Sequence, residues 1–238
     1  MPASEVSGHA VARRGALAGT TMGSVPARAT DTAYERLRDE IITLKLPPGL
    51  LINEQTLAER LGVTRPTLVQ ALHRLAETGL VSVLPRRGIL ISPVDLLDVQ
   101  QVFDARAALE SKVAELAAVR ATAEQVEELR ELARDLDQPV SDDHRYQPFL
   151  ERDQQLHLAV AALARNWFLE DALARVWMVN RRLWHLFFRE RGTAANYFLR
   201  HEAILSALER RDPAAAGDAV IEHLAHAKEL LHQGLWGS

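Results

Sequence analysis

No glycine occurs between Gly88 and Gly192, and from Pro93 to Ser238 the only prolines are Pro93, Pro139, Pro148 and Pro213. A stretch so poor in both breakers, and rich in Ala, Leu, Glu and Arg, has little choice but to form helices. The pattern predicts about six, over 94–119, 122–137, 147–164, 167–190, 193–211 and 213–233. Thr122 with Gln125 three residues on has the form of a capping box, and Asp212-Pro213 is a second start signal, an acidic cap followed by proline at the first helical position. A bundle of about 140 residues can bury its own core and hold a ligand between helices.

The residues before this stretch read differently. Positions 1–29 are rich in Ala, Gly, Ser and Thr with almost no large apolar side chains, and are expected to be a disordered tail. Arg13-Arg14 and Ala27-Arg28-Ala29 faintly resemble a twin-arginine export signal, but the segment between them is too weakly apolar for a signal core. Tyr34, Leu37, Ile41 and Leu44 then recur at helical spacing, predicting a helix over 33–44 that Pro47-Pro48-Gly49 stops. A second helix is expected from Glu54 to Leu61. A third follows a short Gly62-Val63-Thr64 turn, with Thr64 as N-cap, Pro66 in the first turn and Gly79 at its end. The runs Leu80–Leu84 and Ile89–Ser92 read as a hairpin with Arg86 and Arg87 at its tip.

Charge divides at the same boundary. The chain carries 28 Lys/Arg and 32 Asp/Glu, net −4. Residues 1–93 are net +3 and residues 94–238 net −7, so the overall acidity does not argue against a nucleic-acid partner for the front half. The absence of cysteine excludes disulfides, thiolate zinc sites, iron–sulfur clusters and cysteine nucleophiles, and restricts any metal site to imidazole and carboxylate. No apolar run approaches the ~20 residues that cross a bilayer.

Helix, helix, tight turn, helix and hairpin is the layout of a winged helix-turn-helix. Such a module can set the start of its third helix in the major groove while hairpin arginines reach phosphates or the minor groove. The segment LPPGLLINEQTLAERLGVTRPTLVQALHRLAETGLVSVLPRRGILIS resembles, over residues 31–92, the DNA-binding domain of the GntR family of bacterial transcription regulators. The resemblance implies that Arg65 contacts DNA, with Thr64, Thr67 and the wing around Gly88 alongside. Where the family has Thr-Pro, this chain has Pro66-Thr67; Val69 stands in place of a recognition-helix arginine, Gln70 in place of a glutamate, and Gln55 where some relatives carry an arginine. Fewer cations should weaken DNA affinity or alter base preference, because phosphate contacts dominate binding strength. Arg86 and Arg87 read as DNA contacts or as solvated turn charges. His73 and Arg74 lie further along the helix, where a backbone contact competes with solvation.

In the second half, Asp153 and His157 stand four apart and so share one helical face, with His201 and His223 on later segments. Asp plus three His is a nitrogen and oxygen ligand set suited to zinc, nickel, manganese or iron, although spacing alone does not establish a site. Residues 94–235 resemble the FCD ligand-binding domain of the FadR branch of the GntR family. The landmarks are Arg106-Ala-Ala-Leu109-Glu110, Asp153-x-x-x-His157, and His201-x-x-Ile204-x-x-Ala207-Leu208 leading to His223. The resemblance implies a divalent metal, zinc first among the candidates, held by those four residues, and a small carboxylate effector beside it. Arg106 could clamp that anion or form a salt bridge to Glu110, its i,i+4 neighbour. Asn166 could touch the effector or cap a helix. Trp177, Trp184, Phe187 and Phe188 could wall a pocket or be plain core, and His185, His226 and His232 have no matching role.

The expectation is a mainly α protein. A tail (1–29) precedes a winged helix-turn-helix domain (30–92) and an all-α effector-binding and dimerisation domain (93–238). Functionally this implies a cytoplasmic, bacterial, homodimeric DNA-binding regulator, nucleoid-associated when on its operator. It would act as a repressor on palindromic double-stranded DNA, without a membrane partner. A metal-dependent enzyme using the Asp/His₃ set is the alternative, and a metal-free protein with structural histidines a third possibility.

Overall fold

The computed structural model describes residues 27–134, 136, 146–191 and 201–236. The expected tail over 1–26 lies outside the described residues, as does the 193–200 portion of the expected fifth bundle helix.

The first helix, α1 (Ala27–Ile42), starts six residues earlier than expected and includes positions 27–29, which were assigned to the tail. Tertiary contacts explain the correction. Thr30 is buried and its hydroxyl donates to Gln70 Oε1 at 3.1 Å, and Asp31 pairs with Arg74 at 2.6 Å. These contacts order a helical turn that local composition would leave frayed. At the other end Leu44 has φ 61, so the helix cannot run through it.

Helices α2 (Glu54–Leu61) and α3 (Arg65–Glu77) follow. Asn53 caps α2, its Oδ1 accepting from the Gln55 and Thr56 amides, and Thr64 caps α3 as expected. The hairpin is β2 (Val81–Leu84) with β3 (Gly88–Ile91). A two-residue strand, β1 (Leu51–Ile52), adds to β3 to give the antiparallel order β1-β3-β2, with Leu51 opposite Leu90 and Ile52 opposite Ile89. Two residues carry no readable alternation, so the sequence does not announce this strand. Gly88 is required where the wing crosses β1: its φ is +109, and a Cβ there would run into the Ile52 carbonyl oxygen. Leu37, Ile41, Leu57, Leu68, Leu72, Leu75 and Ile89 form the core of this unit.

The second unit comprises α4 (Leu96–Arg120), α5 (Ala123–Ala133), α6 (Tyr146–Leu163), α7 (Trp167–Arg191), α8 (Glu202–Glu209) and α9 (Pro213–Trp236). The Thr122/Gln125 capping box is present, and α4 begins with a second one, Asp95 with Asp98. Helix α4 packs most extensively against α9. A separate core contains Phe103, Trp177, Trp184, Phe187, Leu224 and Leu231, so the aromatic stripe of α7 is core. Helix α7 also meets the first unit: Tyr34 of α1 lies with its hydroxyl 3.8 Å from Met178 Sδ, and Arg182 donates to the Ser92 carbonyl at 2.5 Å. Among the described residues no helix is long and apolar enough to cross a membrane.

Candidate nucleic-acid interface and metal centre

The N-termini of α2 and α3 and the wing converge on one open concavity, lined among others by Gln55, Arg65, Arg86, Arg87 and Gly88. Five positions read from the sequence as DNA-contacting are therefore neighbours. Arg65 sits at the first turn of α3 with its side chain 76% exposed, and Arg86 and Arg87 are exposed at the hairpin tip. Thr64 is exposed, but its hydroxyl is engaged in the cap, 2.9 Å from the Thr67 hydroxyl. Thr67 corrects the expectation: it is 3% exposed and faces the core side of α3, so in this conformation it is a packing and capping residue. Placing proline before threonine moves the hydroxyl one residue along, about 100° around the helix. Gln70 is exposed on α3 and holds Thr30.

Two acidic side chains in this concavity escaped sequence reasoning. Glu54 Oε2 accepts from Arg65 at 3.1 Å, and Glu59 accepts from Gln55 Nε2 at 3.1 Å. DNA must compete with Glu54 for Arg65. An 11-residue separation across a turn leaves no sequence signal of this pair.

Within the bundle, His157 (α6), His201 (immediately before α8) and His223 (α9) come together, with one ring nitrogen of each inside a 4.8 Å group. All three are buried, as is Asp153, one turn from His157 on α6. Asp153 Oδ1 lies 3.0 Å from His201 Nε2 and 3.8 Å from His157 Nε2, so the carboxylate abuts the imidazoles. The four sequence-predicted ligands therefore share one site.

Glu110 on α4 joins them. Its Oε2 lies 2.5 Å from His157 Nδ1, and its Oε1 accepts from Arg106 Nε at 2.6 Å. A carboxylate on Nδ1 holds that nitrogen protonated and leaves the Nε2 lone pair facing the cluster. His157 Nε2 is buried and makes no hydrogen bond among the described residues, an arrangement costly for a polar atom unless a cation takes it. Electrostatics agree. Burial alone would raise the Glu110 carboxyl, but Arg106 and then His157 hold it well below the carboxylate range. Burial likewise opposes Asp153 ionisation, yet the His201 hydrogen bond and the surrounding imidazoles bring it down to about 2. His223 is pushed well below its ordinary value, first by burial and then by the neighbouring histidines, which keeps it a neutral donor ligand. The residues fit a divalent metal.

Two expectations about the effector change here. Arg106 is 1% exposed; Nε and Nη2 face Glu110, Nη1 donates to Asn180 Oδ1 at 3.0 Å, and the guanidinium stacks 4.3 Å from the Trp177 ring centre. Of its two readings, the Glu110 salt bridge is the one realised, and no part of the fork is turned to a ligand. Asn166 caps α7, its Oδ1 accepting from the Phe168 and Leu169 amides, and it does not line the cavity beside the histidines. Glu110 and Asn180 are the members of this network that sequence reasoning missed as site residues.

Two family models match the chain: one described as "Bacterial regulatory proteins, gntR family" over residues 29–91, and one described as "FCD domain" over 101–226. The Uxu operon transcriptional regulator of Escherichia coli (strain K12) is 31% identical over 217 residues, 82% of this chain and 83% of that protein. The HTH-type transcriptional repressor RspR of the same strain is 27% identical over 202 residues, 84% of this chain and 87% of its own. Among solved structures, E. coli McbR/YncC superposes with TM-score 0.72 at 22% identity, over 89% of this chain and 99% of that one. The Uxu and RspR proteins are transcription regulators by name, and the metal-dependent-enzyme alternative finds no counterpart in either.

Proposed function

Because the chain belongs to the GntR family of bacterial transcription regulators and carries an FCD domain, we propose that it is a metal-containing, effector-responsive repressor that binds a palindromic operator as a homodimer. DNA binding belongs to the family; metal, effector and sense of regulation are this reading's own. The division of labour would be residues 30–92 for DNA and 93–238 for effector binding and dimerisation, in the cytoplasm.

The observation that carries the reading is the buried His157, His201 and His223 cluster beside Asp153, with Glu110 directing His157 Nε2 inward. A divalent cation there would supply a Lewis-acidic anchor for a carboxylate oxygen. This chain's residues hold the ligand nitrogens in place, exclude bulk water and set the charge around them. Because α7 touches both Arg106, through Asn180, and the Ser92 carbonyl, through Arg182, a rearrangement at the cluster can bias the placement of the winged domain. The sense of regulation is taken from the repressor relative.

The test is elemental analysis of the purified full chain together with a mobility-shift assay on its own promoter region. Stoichiometric metal, lost in His157→Ala and His201→Ala, and a specific shift weakened by a small carboxylate are expected. Unchanged metal content in both variants would overturn the site, and sequence-independent binding alone would overturn the regulatory role.

A further inference from the structure

The two ends of α3 face different cavities. Its first turn carries Arg65 into the DNA-facing concavity, while Arg74, Glu77 and Thr78 at its far end line a second cleft. The opposite wall of that cleft belongs to the bundle, with Gln154 of α6 and Asp171, Arg175, Met178 and Arg181 of α7. Tyr34, Arg38 and Ile42 of α1 complete the junction between the two units. The cleft has a volume of about 480 Å³, within the range of small-molecule sites. It shares no lining residue with the cavity beside the histidines.

Four arginines and two carboxylates, Glu77 and Asp171, leave this lining two positive charges in excess. Three of the arginines have close partners: Arg38 with Asp39, Arg74 with Asp31 and Arg175 with Asp171. Exposed pairs of this kind contribute little, so a stronger anion can displace them. Arg181 is different. Its side chain is 20% exposed, and its ion-pair partner Glu151 stands 3.8 Å away and is largely solvated. Its Nε is buried with no hydrogen bond among the described residues. Burial holds its pKa below the ordinary value against the pull of Glu151 and Asp39, and the neighbouring Arg38 charge adds to the lowering. A largely desolvated cation beside a second cation, with a donor left open, is an arrangement that an anion would relieve.

We propose that this junction cleft binds a small hydroxylated phosphate monoester, with its phosphate at Arg38 and Arg181. Such a group carries a charge of about −1.5 to −2 at pH 7, which offsets the excess on the lining. Guanidinium forks match phosphate oxygens in geometry. Thr78, Gln154, Glu77 and Asp171 offer hydrogen-bonding groups to hydroxyls on the body of the ligand. The DNA backbone is the other source of phosphate, but the DNA-facing turn of α3 lies at the opposite end of this 13-residue helix, about 15–20 Å away. A ligand here would touch α1 and α3 on one side and α7 on the other, tying the DNA-reading helix to the bundle. Ester and operator would then alter each other's affinity by the same factor. The proposal does not depend on a metal at the histidine cluster.

The experiment is calorimetric titration of the full chain at low salt with ribose 5-phosphate, ribose and inorganic phosphate. Ribose 5-phosphate is expected to bind once per chain, ribose not at all, and inorganic phosphate more weakly than the ester. Arg38→Gln and Arg181→Gln should each weaken the ester by roughly tenfold or more, the loss of one charge-assisted contact. Circular dichroism confirms that each variant is folded, and Arg175→Gln provides a third, more exposed position expected to weaken binding. His157→Ala should bind the ester as the parent does. Absence of ester binding, or affinity unchanged in all three arginine variants, overturns the proposal. So does inorganic phosphate binding as tightly as the ester, or loss of binding in His157→Ala, which would put the anion at the histidines. Anisotropy on a scrambled duplex tests the DNA backbone as the source: a salt slope reduced by about 1 in Arg38→Gln or Arg181→Gln would assign the cleft to DNA and overturn the proposal.

Discussion

Glu110 Oε2 on α4 stands 2.5 Å from His157 Nδ1 on α6, which makes a helix 47 residues away in sequence the orienting support of a candidate metal ligand. Removing that support while keeping the shape should loosen the metal. Glu110→Gln is expected to weaken metal affinity about 10–100-fold. Competition with a chromophoric chelator measures it, and an unchanged affinity would show that Glu110 only packs.

Arg106 has a different predicted signature. Its substitution by leucine leaves Glu110 buried without its main counter-charge, a change that costs about 3–5 kcal/mol in such pairs. Urea unfolding should show a large fall in midpoint. Were Arg106 a ligand clamp instead, stability would hold and only effector affinity would drop.

On the DNA side, Glu54→Gln releases Arg65 from its intramolecular partner, so operator affinity should rise at low salt. Arg86→Ala and Arg87→Ala should each reduce the salt slope by about 1 if they meet phosphates, with little change in sequence preference. Arg65→Ala should instead relax base discrimination by about 1–3 kcal/mol at the position it reads. Fluorescence anisotropy across a salt series on operator and scrambled duplexes separates these outcomes.

Acid should destabilise the bundle through His185. This imidazole is buried on α7 with neither ring nitrogen hydrogen-bonded among the described residues, and burial, then the Arg181 charge, pushes it down to about 4. Below its ordinary value of 6.5 the unfolded chain takes up a proton that the folded chain refuses until about 4. Stability therefore falls as pH drops through that window, by on the order of 3 kcal/mol for this residue. His185→Leu should flatten the fall, measured as urea midpoints at pH 7, 5.5 and 4.5; parallel curves for the two proteins would refute the assignment.

Metal removal should act in the same direction as Glu110→Gln, only more strongly. A ligand at a hundred times its dissociation constant stabilises by about 2.7 kcal/mol, so dialysis against a chelator should lower the melting temperature by several degrees. The same treatment of His157→Ala should change it little.

Much of this was legible in the chain. The helical bundle followed from missing glycines, because only breakers and caps interrupt a composition like that of residues 94–191. The face shared by Asp153 and His157 followed from the helical repeat, and the start of α3 from Thr64 and Pro66. What could be read was local, set by interactions within four residues.

The unread features were all contacts between elements. Composition assigned positions 27–29 to a tail, but Thr30 and Asp31 meet α3 across some 40 residues and draw the helix back to Ala27. The sequence left Arg106 with two roles, and Asn180, 74 residues on, together with Glu110 chose between them. Thr67 looked like a DNA contact until the phase of α3 against the core buried it. By itself the sequence determined which segments are helices and which side chains each helix can present, since backbone propensity and the 3.6-residue repeat act within one segment. Which of those side chains meet, and so whether a carboxylate supports a histidine or a ligand, was decided only by packing, because that choice depends on distances between chain segments that no local pattern encodes.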